Sequence, residues 1–463
     1  MINLVQERNP MPTQDPDVRT KNFLEVCEGY TEDMAVREAM RCLKCRKKPC
    51  MTKGCPVQMN IPEFIAKVAE GEFEEAYQII RGISCLPSVC SRVCPQENQC
   101  EGSCVRGIKG EPVAIGRLER FVCDWHEANC GKGEIVKAEA NGHKVAVIGA
   151  GPAGIACAGD LADRGYDVTV YEALHQAGGV LLYGIPQFRL PKEIVAAEVA
   201  KLEAKGVKFV MDAVAGKTFT VDDLMKKEGF EAVFIGTGAE EPYAMNIPGE
   251  DLNGVYSAND YLTRVNMAKA NLTEEEAPAM NGGTAIIVGG GNVAMDAARC
   301  AKRMGADEVR ILYRRSREEM PACNAEIEEA EEEGIVFQFL TNPVAVKGDA
   351  DGKVSGVEVV SMKLGEPDAS GRRRPIAIEG SNEVIPAAMV ILAIGTKPGQ
   401  LILDATEKLE ADKSGQIITD AETATNRPGI YAGGDAVTGP ATVVKAMGAG
   451  KKAAASIDEY LSK

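Results

Sequence analysis

Two stretches of this chain share one plan. "HKVAVIGAGPAGIACAGDLADRGYDVTVYE" (143–172) and "TAIIVGGGNVAMDAARCAKRMGADEVRILYRR" (284–315) each run as apolar strand, glycine turn, helix and second strand. Two βαβ units about 140 residues apart predict an α/β chain with two Rossmann-like dinucleotide-binding domains. At 463 residues there is room for about three domains, so something else precedes them.

The glycines carry the chemistry. Gly149, Gly151 and Gly154 follow the strand "KVAVI" and open a helix. They let the backbone turn tightly and approach a pyrophosphate seated on the helix N-terminus. Glu172 ends the second strand, where a carboxylate can accept ribose hydroxyls. The second unit turns at Gly289, Gly291 and Ala294, with Asn292 in the turn, but its second strand ends in Tyr313-Arg314-Arg315. Arginines there would pair with a 2′-phosphate, so NADPH is expected, with Arg317 assisting.

Cysteine usage divides the molecule. Twelve of fifteen cysteines lie before residue 131, leaving Cys157, Cys300 and Cys323 beyond. In a reducing compartment such a cluster suggests metal rather than disulfides. "RCLKCRKKPCMTKGCP" (41–56) carries Cys42, Cys45, Cys50 and Cys55; "CSRVCPQENQCEGSC" (90–104) carries Cys90, Cys94, Cys100 and Cys104. Structural zinc sites usually pair short C-x2-4-C knuckles, and these spacings run longer and denser. Cys55 and Cys94 precede Pro, as in bacterial ferredoxin runs where that cysteine ligates the other cluster. Two [4Fe–4S] clusters with crossed ligation fit better than zinc.

The rest of the chain frames these parts. A charged fraction of 26% and a hydrophobic fraction of 45% are those of a globular protein. No apolar stretch of membrane-spanning length occurs and "MINLVQERNP" lacks an apolar signal core, so a cytoplasmic location without membrane contact is expected. A net charge of −16 argues against nucleic acid. Residues 1–20 should form an extended arm, and 22–130 read as helical. In "NIPEFIAKVAEGEFEEAYQII" (60–80) the aromatics Phe64, Phe73 and Tyr77 read as core. "GKGEIVKAEANG" (131–142) is a polar linker, and "EIEEAEEEG" (326–334) and "GRRRP" (371–375) read as solvated faces. Residues 41–53 carry Arg41, Lys44, Arg46, Lys47, Lys48 and Lys53 with no acid. They either compensate a cluster's negative charge or receive an acidic partner protein.

Later segments resemble the two-dinucleotide-domain flavoproteins: "AVFIGTGA" (232–239), "MVILAIGTKP" (389–398) and "GIYAGGDAVTGPATVVKAMGAGKKAA" (429–454). The resemblance implies that Gly434 and Asp435 bind FAD, that Thr442 and Val443 begin the helix beneath the flavin, and that "GGVLLYGIPQFRLP" (178–191) lies along it with Gly179 and Arg189. It makes the FAD domain discontinuous, 141–249 and 391–463, with the NADP(H) domain inserted at 250–390 and the helical cluster domain at 1–140.

Over almost its whole length the chain resembles the NADPH-dependent glutamate synthase small-subunit family. That family includes the large subunit of NADH-dependent reduced ferredoxin:NADP oxidoreductase and the N-terminal half of dihydropyrimidine dehydrogenase. The matching stretches include "RCLKC", "GCPV", "RVCPQENQCEGSC", "IGRLERF", "VIGAGPAG", "YGIPQFRLP", "GGGNVAMDAAR", "YRRSREEMPA" and "GGDAVTGPATVVKAMGAG". The resemblance assigns one cluster to Cys42, Cys45, Cys50 and Cys104. It assigns the other, nearer the flavin, to Cys55, Cys94, Cys100 and Glu119, with Cys90 packed beside it and Cys123 and Cys130 left over.

The expected protein is an iron–sulfur flavoprotein oxidoreductase passing electrons between NADPH, FAD, two [4Fe–4S] clusters and a partner. A flavin can take a hydride and release single electrons, so no side-chain catalyst is named. A thiol–disulfide reductase would need a redox cysteine pair beside the flavin, and no C-x-x-C occurs after residue 45. A zinc-stapled scaffold is the non-catalytic alternative. The "RNPMP" arm and the length suit the electron-bifurcating ferredoxin:NADP branch slightly better than the glutamate synthase branch, in which a large chain forms glutamate from glutamine and 2-oxoglutarate. Either implies a hetero-oligomer, with ferredoxin a candidate partner.

Overall fold

A computed structural model describes residues 3–131, 136–269 and 277–463. Residues 132–135 of the expected linker lie outside the described residues.

The N-terminal part is helical, built on Glu32–Ala39, Ile61–Glu70, Phe73–Arg81, Pro87–Val93 and Ile115–Asn129. Apolar residues recur at helical spacing and close one core around Phe64, Ile65, Ile80 and Leu118, with Phe73 and Tyr77 buried in it as expected. The helix Ile61–Glu70 stops at Gly71, whose φ of +79° is the left-handed cap that glycine adopts without strain. Cys50–Gly54 forms one π-helical turn. A side chain at Gly54 would put its Cβ 2.7 Å from the Cα of Cys100. That close approach is what brings the Cys55 and Cys100 loops together.

Two parallel five-stranded sheets follow. The first orders Ile430–Ala432, Ala232–Ile235, Lys144–Ile148, Asp167–Tyr171 and Lys208–Val210. The second orders Val255–Ser257, Met389–Leu392, Thr284–Val288, Glu308–Tyr313 and Val336–Phe339. The first sheet is completed by a strand from the far end of the chain, so the second domain is an insertion, and the expected fold class holds. Their central strands are buried on both faces, which is why "KVAVI" and "TAIIV" are continuous apolar runs. The sequence did not announce an antiparallel sheet of Thr341–Gly348, Val354–Pro367, Arg373–Ala377 and Glu383–Pro386 inside the second domain.

Two expectations need correction. The arm is not simply extended: it forms a helical turn, Pro16–Arg19, and buries Arg19. The acidic run is not a solvated face. Its helix Asn324–Glu332 presents Glu326 and Glu329, one turn apart, to Arg299, and Glu333 just beyond joins Arg19, Arg299 and Arg303 in a fully buried cluster. Arg299 and Arg303 also lie over the Phe188 ring, at 4.7 and 4.1 Å from its centroid. "GRRRP" does face solvent, with Arg374 exposed and Arg373 half-buried in pairs with Glu318 and Glu319.

Candidate functional site

At the first glycine turn, Gly149 has φ +97°, and a Cβ there would lie 2.5 Å from the carbonyl oxygen of Gly236. A Cβ on Gly154 would be 1.8 Å from the Gly149 oxygen, whereas one on Gly151 would meet nothing within 4 Å. Two glycines therefore serve the fold, and the third faces open space at the head of helix Pro152–Ala162. That is an anion cradle. Glu172 accepts from the backbone N–H of Ala150 at 2.7 Å and of Leu174 at 2.9 Å. Burial pushes its carboxyl above the usual range, opposed by those N–H groups. Gly179 folds back so closely that its Cβ would lie 2.9 Å from Gly151 Cα. Asp435 follows Gly434, whose φ is +69°, and its Oδ1 is buried without a partner among the described residues, as is the hydroxyl of Thr442 at the head of helix Val443–Leu461. Buried polar atoms are rarely left unpaired, and these fit a bound dinucleotide.

The second turn is built alike and finished differently. A Cβ on Gly289 would lie 2.3 Å from the Ala393 oxygen, and one on Gly290 2.6 Å from the Tyr313 ring. Gly291, heading helix Asn292–Arg303, has only Pro321 near it, at 3.9 Å. Ala294 is buried in the turn. Asn292 accepts from the N–H of Cys323 at 2.8 Å, tying the turn to the next loop. The expected arginine pair is divided. Arg315 is buried and gives its guanidinium to the Arg373 carbonyl and to Asp368, both at 2.8 Å. Arg314 is exposed and makes no hydrogen bond or ion pair with the described residues, and Arg317 pairs with Glu331.

The cysteines gather in two groups. Cys42, Cys45, Cys50 and Cys104 line one cavity beside Pro62 and Val113. Burial pushes the Cys42 thiol up and that of Cys50 to about 11, and the neighbouring thiols push the same way. In the second group, Cys55, Cys94, Cys100 and Glu119 are electrostatic neighbours. Glu119, on helix Ile115–Asn129, makes no hydrogen bond to the described residues, and burial raises its carboxyl to about 8. Cys90 is hydrogen-bonded to Cys94. Buried, crowded acids of this kind are stabilised as anions when a cation sits among them, so both groups suit iron.

Charge at the first group differs from expectation in one residue. Arg41 is buried, bonded to Glu38 and to the carbonyls of Gln6, Glu111 and Pro112. Lys44, Arg46, Lys47 and Lys53 remain exposed, and Lys48 pairs with Glu63. The second group lies against the first sheet's domain: Val57 and Cys94 pack in one apolar cluster with Val443, Val444 and Met447.

Along 178–191, Arg189 reaches the other domain, pairing with Asp296 at 2.8 Å and Glu326 at 2.7 Å. Two further residues carry no local signal in the sequence. Lys192 is buried, donates to the carbonyls of Leu181 and Ile185, and is pushed down to about 7 by burial. His175 keeps a buried Nε2 without a partner among the described residues. Neither belongs to a recognisable motif.

Comparison with known proteins follows this layout. The family model for dihydropyrimidine dehydrogenase domain II, 4Fe-4S cluster, matches residues 19–130, and that for pyridine nucleotide-disulphide oxidoreductases matches 143–450. The chain is 37% identical to the glutamate synthase [NADPH] small chain of Escherichia coli K12, covering 98% of this chain and 97% of that one. It is 42% identical to the NADP(+)-dependent formate dehydrogenase subunit beta of Moorella thermoacetica, over 89% of this chain but only 60% of that longer protein. Among solved structures, Mycobacterium tuberculosis FprA in complex with NADPH shares the fold, with a TM-score of 0.58 at 21% identity, over 69% of this chain and 84% of that one. The chain belongs to the glutamate synthase small-chain family and is an NADPH-dependent oxidoreductase that uses FAD and [4Fe–4S] iron–sulfur chemistry.

Proposed function

We propose that electrons move between NADPH on the second glycine turn, FAD on the first, an inner [4Fe–4S] cluster and an outer one, and then a partner protein. FAD supplies the conversion between hydride and single-electron chemistry. One observation carries the order: Cys94 and Val57 join the apolar cluster that includes Val443, Val444 and Met447, and a Cβ on Gly448 would lie 3.1 Å from Val57, while Cys42, Cys45, Cys50 and Cys104 line a cavity on the cluster domain's side with none of them in that cluster. Cys55, Cys94, Cys100 and Glu119 then hold the inner cluster, and the other four cysteines the outer. The domains run 1–140, 141–249 with 391–463, and 250–390.

The outer cluster is where a partner docks. Lys44, Arg46, Lys47 and Lys53 surround it, and Val105, which lines its cavity, and Ile108 are exposed. An apolar patch with a basic rim suits a partner with an acidic rim. The protein works in the cytoplasm as part of a hetero-oligomer. The "RNPMP" segment favours the electron-bifurcating setting, with NADH and ferredoxin. The end-to-end match with glutamate synthase small chains favours the other, in which a large chain forms glutamate. Isolating the native complex and identifying the companion subunit decides between them.

The NADPH end is tested by separating the two arginines. Arg314→Ala should weaken NADPH by about 1.5–3 kcal/mol, the value of a hydrogen bond to a charged group, and leave NADH unchanged. Arg315→Ala should lower the melting temperature more than the affinity, because its partners are Asp368 and a backbone carbonyl. Equal losses for both cofactors with Arg314→Ala would put the 2′-phosphate elsewhere.

A further inference from the structure

Away from the cofactor residues, a carboxylate, an imidazole and a thiol meet at Glu74, His126 and Cys130, with their ligand atoms all within 4.8 Å of one another. His126 and Cys130 are four apart, on helix Ile115–Asn129 and its C-terminal cap, so they share one face. Glu74 comes from the neighbouring helix Phe73–Arg81. Its Oε2 lies 2.6 Å from His126 Nδ1 and accepts from the Cys130 thiol at 3.1 Å. The next turn of that helix holds the arrangement. Tyr77 stacks on the imidazole at 3.6 Å between centroids and 7° between planes. Gln78 donates to the other oxygen of Glu74 at 2.6 Å, leaving Oε2 for the histidine and cysteine.

We propose that Glu74, His126 and Cys130 form a mononuclear site for a zinc-type divalent cation, separate from both cysteine groups, with solvent as the fourth ligand. Nitrogen, sulfur and carboxylate oxygen are the donors such an ion takes. A thiolate and a carboxylate also neutralise its charge. Tetrahedral bonds of about 2.0–2.3 Å set the donors about 3.3–3.7 Å apart. The imidazole and carboxylate must therefore part by less than about 1 Å, and the thiol and carboxylate by about half that. Glu74 and Cys130 are on the solvent side and can move. The ion takes the place of the protons now held between these groups, which are released to solvent. Its stacked ring and its bonded carboxylate are the outer supports a metal site uses. Binding would clamp helix Phe73–Arg81 to the end of the helix that carries Glu119.

The test uses the full chain with its clusters and flavin. One equivalent of zinc sulfate is added, free ion is removed by gel filtration, and zinc and iron are measured on the same sample. The expected result is one zinc per chain with iron unchanged, and a zinc-edge X-ray absorption spectrum with one sulfur at about 2.3 Å and nitrogen or oxygen at about 2.0–2.2 Å. Cys130→Ser should remove the sulfur signal, and His126→Ala should weaken zinc at least about tenfold, the lower end of what even an outer-support mutation costs. Iron and flavin content report whether each variant has folded. Failure to retain zinc, equal retention by the double variant, or zinc gained only as iron is lost would each overturn the site.

Discussion

The two cysteine groups differ in their fourth donor and in what lies behind them. One offers four thiols around a cavity in the cluster domain's own core, with exposed basic residues near it. The other offers three thiols and Glu119: Cys55 and Cys100 border the same core, but Cys94 joins an apolar cluster with the domain of the first glycine turn. Ligand identity, burial and solvent exposure are what set a cluster's potential. On the proposed assignment, the four-thiol set and the set with the harder carboxylate are therefore two different electron stops, even if the clusters are of one type.

Deleting one thiol from each group gives the largest contrast. Cys42→Ser should cut iron from about eight atoms per chain to about four, leaving flavin content and its reduction by NADPH intact. Cys94→Ser should lose as much iron but also disturb the apolar cluster that Cys94 shares with the domain of the first glycine turn, so flavin content and melting temperature should fall as well. Iron analysis and flavin absorbance distinguish the two. Identical behaviour of the two variants would erase the inner–outer distinction.

A smaller effect is expected at Glu119. Glu119→Ala should leave the inner cluster labile, while Glu119→Cys should keep both clusters and shift the potential of one. Redox titration followed by paramagnetic resonance measures this. Unchanged potentials, spectra and iron in both variants would remove Glu119 from the ligand set.

The smallest effect lies in the iron-free chain. Below about pH 4.5 the Glu119 carboxyl holds its proton folded or unfolded. As the pH rises toward 8 the unfolded chain releases it while the folded chain keeps it, so Glu119 makes stability fall through that window. Iron-free Glu119→Gln should lose less stability than the wild type over this range in denaturant titrations. Parallel slopes would mean the carboxylate is not buried among the thiols.

What the sequence made legible was local chemistry. Gly149, Gly154 and Gly289 announce themselves because only a residue without Cβ fits against the backbone that faces them. The cysteine spacings and Glu172 could be read for the same reason: short-range geometry fixes their place. What could not be read came from distant partners. Arg315 resembles a phosphate ligand until the inserted antiparallel sheet brings Asp368 and Arg373 to it. Arg41 resembles its surface neighbours until the arm and residues 111–112 supply its carbonyl acceptors. Glu333 ends a run that composition marks as solvated, and three arginines from two separate segments bury it. Charge is assigned to the surface by default because burying it alone is costly; a partner hundreds of residues away cancels that argument without leaving a local trace.

The strand Ile430–Ala432 closes the first sheet, and the helix after it packs on Pro152–Ala162. On a ribosome this sets a timetable. The cysteines of the first 130 residues emerge about 300 residues ahead of that strand, about 15–60 s at about 5–20 residues per second. Throughout that interval the sheet lacks its edge strand, and the surface formed by Val57 and Cys94 lacks the helix it packs against. On the proposed assignment, iron delivery to the inner group has an open window that shuts when the helix Val443–Leu461 docks, and a chain that closes first has sealed that group from its metal.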